Sequence, residues 1–219
     1  MHWFDAMPRN PPGRRDSMVH YTARELQRAA RWLRIDRQPK RTAALQLPDL
    51  KQSRGIRVFV TLNDDRMPAY RAPIVEVVPL QERDWKPLAY PDSPQHIAAA
   101  DLQPWLSQVY PGGVMERTDP RTKRHYRIKS IQGELSLTPT GAAAGRRFAL
   151  LSGNVRLTDE GRDDFSYTGR LNVVLTYRLD SPHVKTLRGV FEGTYPRFDR
   201  MHKQVRDLAL QAVFESRPE

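Results

Sequence analysis

FSYTGRLNVVLTYRL, residues 165–179, decides how this chain reads. Phe165, Tyr167, Gly169, Leu171, Val173, Leu175, Tyr177 and Leu179 take every second position, while Ser166, Thr168, Arg170, Asn172, Val174, Thr176 and Arg178 fill the places between. Side chains of a strand alternate between faces, so the pattern specifies a long strand with one apolar and one wet face, as in an antiparallel sheet. Asp180-Ser181-Pro182-His183 then turns the chain, and Leu187, Gly189, Phe191, Gly193 and Tyr195 alternate on the way back. Upstream, Tyr126 to Leu137 and Phe148 to Leu157 alternate too, each changing phase once, near Ser130-Ile131 and Leu150-Leu151, as a β-bulge requires. Four consecutive long strands with short connections make a meander.

Closing each hairpin symmetrically about its turn sets Leu137 near Ala149, Leu157 opposite Phe165 and Tyr177 opposite Leu187. The same register aligns Gly133 with Gly153, Gly153 with Gly169, and Gly169 with Tyr195. A glycine row lets a sheet coil sharply, and an aromatic ring beside it covers the bare backbone.

Outside this meander, Ile56, Val58, Val60 and Leu62 alternate up to the turn Asn63-Asp64-Asp65, and Ile74 to Val78 forms a further strand between prolines. A proline-rich loop leads to an expected short helix from Asp101 to Val109, capped by Asp101 and stopped by Tyr110-Pro111-Gly112-Gly113. The stretch from Phe198 to Glu215 reads as a closing helix, with Phe198, Met201, Val205, Leu208, Ala212 and Val213 as its apolar stripe packed on the meander. Near the other end, Thr22-Ala23-Arg24-Glu25 has the form of a capping box, and a helix runs on to about Ile35. Met1 to Ser17 is an irregular arm, and residues 36–55 are a polar strap.

The chain has 219 residues, enough for one full domain plus an extension at roughly 100–200 residues per domain. We divide it into a basic arm, helix and strap over 1–55 and a β-rich domain over 56–219. The expected fold is α+β: a coiled antiparallel meander or partly open barrel, packed by the C-terminal helix and carrying the basic helical extension.

Formal charge is +11, unevenly spread. Residues 1–55 hold 12 Lys+Arg against 5 Asp+Glu, so most of the surplus belongs to the first quarter and the β-rich part is nearly balanced. Of the 36 basic residues 29 are arginine, distributed through the whole chain, which favours a coding bias over a dedicated phosphate site. Without cysteine there is no disulfide, thiolate metal site or thiol nucleophile. No apolar run approaches the ~20 residues of a spanning helix, and Met1-His2-Trp3-Phe4-Asp5 does not open a signal peptide, so a soluble chain with no membrane span is expected.

Motifs for chemistry are sparse. The six histidines include no i,i+4 helical pair and no His-x-His, so no metal or other cofactor is expected. Asp159-Glu160-Gly161-Arg162-Asp163-Asp164 has carboxylates for Ca²⁺ but not the spacing of a calcium loop, and reads as a solvated turn, as does Asp64-Asp65. There is no nucleophile elbow, phosphate loop or dinucleotide fingerprint. Glu76, Glu134 and Glu192 lie in expected strands, where a carboxylate pair across the sheet is the one acid–base arrangement on offer.

The basic run from Arg117 to Arg127 is the best polyanion patch, with Arg121, Lys123, Arg124 and Arg127 as phosphate contacts and Tyr126 as a stacking ring. No recognised nucleic-acid motif accompanies it, so nucleic acid is not the favoured partner.

Leu151-Ser152-Gly153-Asn154-Val155-Arg156-Leu157, Tyr167-Thr168-Gly169-Arg170-Leu171 and Leu187-Arg188-Gly189-Val190-Phe191-Glu192-Gly193-Thr194-Tyr195 resemble segments of large, uncharacterised exported bacterial proteins, over about a fifth of the chain. That resemblance implies an extracytoplasmic β-rich module, then either trimmed of its leader or a fragment of a longer protein, and brings no catalytic residues with it.

Three functions follow as expectations. The first is a non-catalytic module that binds a protein or small molecule at the mouth of the sheet or on its wet face, with Tyr167, Tyr177, Phe191, Tyr195 and Trp105 as lining residues. The second is a polyanion binder. The third is a hydrolase or isomerase with a pocket in the sheet.

Overall fold

The computed structural model describes residues 55–216 apart from 113, 123, 162, 200 and 201, together with 27, 28 and 31. The chain divides into two compact units, Met1–Leu47 and Pro48–Glu219. In the first, Gln27, Arg28 and Arg31 are helical, and Arg31 Nε donates to the Gln27 carbonyl at 3.4 Å. The rest of the expected first helix, the arm and the strap lie outside the described residues.

The second unit is one antiparallel sheet of nine strands. β1 is Ile56–Asn63, β2 Ile74–Val78 and β3 Gln95–Ala98. β4 is Ile128–Gln132, β5 Glu134–Ala143, β6 Arg146–Asp159, β7 Ser166–Arg178, β8 Val184–Asp199 and β9 Gln204–Ser216. Strand order is β2-β1-β9-β8-β7-β6-β5-β3, with β4 beside the far end of β6. Among the described residues β2 and β3 are the edges of the sheet, and no strand there closes it.

The meander expected from the 165–179 pattern is present, but the closing helix is not. Residues 204–216 form β9, bonded to β8 on one side and β1 on the other, so the fold is a mainly β sheet rather than α+β. The helical stripe omitted Leu210 and Phe214, and these resolve the ambiguity. Leu208, Leu210, Ala212 and Phe214 alternate and are all buried, a period of two that no single helix face accommodates. Alanine, leucine, glutamine and glutamate favour a helix locally, but two flanking strands supply hydrogen bonds and a buried face that outweigh that preference of a few tenths of a kcal/mol per residue.

The expected hairpin registers are displaced by two residues. Leu157 pairs with Tyr167, Leu137 with Leu151, and Leu175 with Leu187. A slip of two leaves each side chain on its expected face, which is why the apolar assignments survive it. The glycine alignments do not survive. Gly169 faces Gly193, Gly153 faces Leu135 and Leu171, and Tyr195 faces Leu208. Phe191, not Tyr195, covers the bare pair.

The first expected bulge falls between Ile128 and Ser130. The second is absent, since β6–β7 pairing is unbroken from Arg146–Arg178 to Thr158–Ser166. Phe148 and Leu150 are half-buried on the outer face, and their apolarity mimics a change of phase. The bent join of β4 to β5 sits at Gly133, with φ 134°, where a Cβ would lie 2.2 Å from the Asn154 carbonyl oxygen.

What covers the inner face is the long connection from β2 to β4. It holds two four-residue helices, α1 (Glu82–Trp85) and α2 (Gln103–Leu106), the latter preceded by a 3-10 turn at Ala99–Leu102. The expected Asp101–Val109 helix is thus shorter than drawn, and Asp101 lies inside the 3-10 turn rather than capping it. Trp105 meets Phe214 edge-on at 4.8 Å, and the Tyr177 hydroxyl donates to the Leu88 carbonyl at 2.8 Å. The Tyr167 hydroxyl donates to the Val109 carbonyl. The role expected of a closing helix is filled by this strap of Leu88, Leu102, Trp105, Leu106 and Val109, all fully buried.

Candidate functional site

β8 outruns β7. Its last bond to β7 is at Thr194, after which Tyr195 to Asp199 continue with β9 as a two-stranded ribbon. The 3-10 turn Met115–Arg117 and the β6–β7 loop border a cleft of about 460 Å³ at this end. Val114, Phe165, Pro196, Phe198 and Val205 give it apolar walls, and Glu116, Arg117, Asp163, Tyr195 and Arg197 add polar groups. Ligand clefts commonly measure ~300–1,000 Å³ and combine apolar walls with a few convergent polar groups.

Two buried ion clusters hold the cleft. In the first, Arg117 Nε and Nη2 bond both oxygens of Asp159 at 2.8 and 2.5 Å, and Nη1 reaches Asp163 at 2.8 Å. The guanidinium also lies over the Phe165 ring, 4.2 Å from its centroid, and 5.3 Å from that of Tyr126. Burial alone lowers the Arg117 pKa, but Asp159 and Asp163 raise it further than burial lowers it. Arg117 in turn holds the Asp163 carboxyl below its ordinary range.

The second cluster centres on Asp64, fully buried just past the end of β1. Burial pushes its pKa up, but the Arg66 backbone N–H at 2.9 Å and the Arg206 and Arg197 guanidiniums outweigh that and hold it down. Arg197 Nη2 also lies 3.7 Å from Oε1 of Glu116, the neighbour in sequence of Arg117.

Among the described residues six buried side-chain polar atoms have no hydrogen-bond partner in the chain, and three of them, Tyr195 Oη, Glu116 Oε2 and Arg197 Nε, belong to residues that line this cleft. A buried donor or acceptor left unmet costs about 1–3 kcal/mol. Burial raises the Tyr195 pKa and the hydroxyl stays protonated, within electrostatic reach of Arg117, Asp159, Glu116 and Arg197.

Of the lining residues expected from sequence, Tyr167, Tyr177 and Phe191 are buried core beneath the strap, Trp105 is buried as part of the strap itself, and Tyr195 alone borders the cleft. Arg121, Arg124 and Arg127 are exposed, and Lys123 lies outside the described residues. Arg117 is withdrawn into its carboxylates, while Asp119 and Glu160 share a shallow groove with Arg121 and Tyr126. Glu76, Glu134 and Glu192 pair with Val58, Ala98 and Arg170 on separate strands, so they form no carboxylate couple.

The acidic 159–164 loop is no solvated turn. Asp159 and Asp163 enclose Arg117, and Asp164 binds Lys129. No group of three metal-ligating side chains occurs among the described residues, and no helix there is long and apolar enough to cross a membrane.

Asp64, Glu116, Asp163, Arg197 and Arg206 are the site residues that sequence reading missed. One signal was available: Arg197 continues the inward series Phe191, Gly193, Tyr195, and a cation at an inward position requires a buried partner. No family model, curated protein or solved structure matches the chain.

Proposed function

We propose that this chain is a non-catalytic binding module whose ligand site is the cleft beside Tyr195. The observation that carries the reading is one cleft of about 460 Å³ in which the apolar side chains Val114, Phe165, Pro196, Phe198 and Val205 meet the polar side chains of Glu116, Arg117, Asp163, Tyr195 and Arg197. The mouth of the sheet is a poorer site, because the 79–127 strap fills it with side chains from Leu88 to Val114. An acid–base reading is weaker for a stated reason: of the carboxylates that line the cleft, Asp163 is bound to Arg117 and Glu116 faces Arg197 at 3.7 Å, so each is matched to a guanidinium rather than to the other.

The test is a fragment titration of the isotope-labelled full chain, followed by amide chemical shifts. Binding should perturb 114–117, 163–165, 195–198 and 205. Hits that map elsewhere, or none at millimolar concentration, overturn the proposal.

A further inference from the structure

We infer that the outer face of the sheet is where two copies of this chain meet, packed face to face about a two-fold axis. An antiparallel sheet with one solvated face ordinarily places polar residues on it. Here Val75, Phe59, Val213 and Val190 stand opposite one another in a single row across β2, β1, β9 and β8. Val174 and Leu150, opposite each other on β7 and β6, carry the apolar band onward, with Val174 beside Arg188 of β8. Val213, Val190 and Val174 are 46%, 38% and 51% exposed. A lone exposed valine is ordinary, but a row continuous over adjacent strands marks a contact surface. The row shares no residue with the Tyr195 cleft, so the inference stands apart from the ligand-site reading.

Charge complementarity makes the occupant a second copy. On β8, Val190 is flanked on the same face by Arg188 and Glu192, both exposed. Within one chain Arg188 is opposite Glu215, which is already bonded to Arg57 at 3.0 Å. A two-fold axis lying in the interface along the apolar row brings Phe59, Val213 and Val190 each onto its own counterpart. The same rotation sets Arg188 opposite the partner's Glu192, and Glu192 opposite the partner's Arg188. Such self-complementarity is what an isologous contact requires. An axis along the strands, between β8 and β9, would instead bring Phe59 onto the partner's Asn172 and leave the row half matched. Two sheets stacked in this way lie ~10 Å apart with their facing side chains interdigitated.

Sedimentation equilibrium of the full chain tests this, and should show a dimer at micromolar concentration. Val213→Glu, on the axis, sets two carboxylates against each other and should weaken the dimer about a hundredfold. Arg188→Glu or Glu192→Arg alone places like charges together twice over and should weaken it about tenfold. Reversing both should return it to within about threefold of the unaltered chain. Residues 188 and 192 are ~13 Å apart along one strand, so such a rescue passes through the partner and not through the fold of either copy. Should Val213→Glu not fold, the reversals at exposed positions carry the test alone. A monomer overturns the proposal, whether the face is bare or covered by another part of the chain. A dimer untouched by Val213→Glu puts the contact elsewhere and overturns it as well. A double reversal weaker than either single change overturns the two-fold pairing.

Discussion

Arg117 reaches Asp159 across 42 residues of sequence and binds both its carboxylate oxygens, with the two side chains 9% and 2% exposed. Removing one member of a buried pair strands the other charge, at about 3–5 kcal/mol. Asp159→Ala should therefore lower unfolding free energy in urea by that amount. Asp163→Ala should cost under about 1 kcal/mol, because that carboxylate is 64% exposed and screened by water. Arg117→Met with Asp159→Leu, which removes both charges together, should recover much of the loss. Equal costs for the two aspartates would show that the cluster is not buried as described.

Asp64 gives the acid limit. Its pKa is held below the ordinary carboxylate value, so its stabilisation is fully present above about pH 4 and fades as pH falls through its lower folded value. Asp64→Asn should be markedly less stable than wild type at pH 7. The gap should narrow as both are titrated below about pH 4, read as denaturant midpoints. A gap independent of pH would mean that the carboxylate is not paired with Arg197 and Arg206.

His125 governs a milder window. Its ring stacks on Tyr110 at 4.5 Å and its Nδ1 sits 2.6 Å from the Tyr126 carbonyl. Burial pushes its pKa below 6.5, with the Tyr126 carbonyl and Asp159 opposing and Arg117 adding to the depression. Below about pH 6.5 the unfolded chain takes up a proton that the folded one refuses, so stability declines on acidification until the folded pKa is passed. His125→Phe should keep the stack and flatten the stability profile between about pH 6.5 and 5. An unchanged slope would assign it to other groups.

The parts of this molecule that were legible from sequence are those in which period and chemistry agree. The β6–β7–β8 meander follows from residues that alternate over long stretches, and a two-residue error in register costs nothing in face assignment. β9 failed because Leu208 and Ala212 fit a helix as well as a strand, and the deciding residues, Leu210 and Phe214, lay off the favoured stripe. The cleft was illegible for a different reason. Asp64, Arg117 and Arg197 look like surface charges one at a time, and only the fold brings them together. Glu116 and Arg206 carried no motif at all. Tyr195 entered the sequence reading only as one apolar alternating residue among several, with no sign of the charged neighbours that the fold gives it.

Phe191 closes over the glycine pair of β7 and β8. A Cβ on Gly169 would stand 2.3 Å from Phe191 Cζ and 2.6 Å from the Glu192 carbonyl oxygen. The ring can move but the backbone cannot, so Gly169→Ala should destabilise by about 1–3 kcal/mol in thermal unfolding. Adding Phe191→Leu should relieve the ring clash and leave the backbone contact, giving a double mutant less destabilised than the sum of the two single changes. Strict additivity would show that ring and glycine do not touch.

Ala209 discriminates strand from helix at the chain's most ambiguous segment. It is exposed on the outer face of β9, opposite Thr194 on β8 and Asn63 on β1. In a helix, alanine is the best residue and valine costs roughly 0.5 kcal/mol; on a half-open sheet face between two strands the order reverses, because a β-branched side chain packs on its cross-strand neighbours. Ala209→Val should therefore leave stability unchanged or raise it by up to about 1 kcal/mol. Ala212→Pro, by contrast, removes a ladder hydrogen bond from a strand bonded on both sides and should prevent folding. A loss of stability in Ala209→Val, measured by urea unfolding, would argue that residues 204–216 do not form the central strand that fixes this sheet.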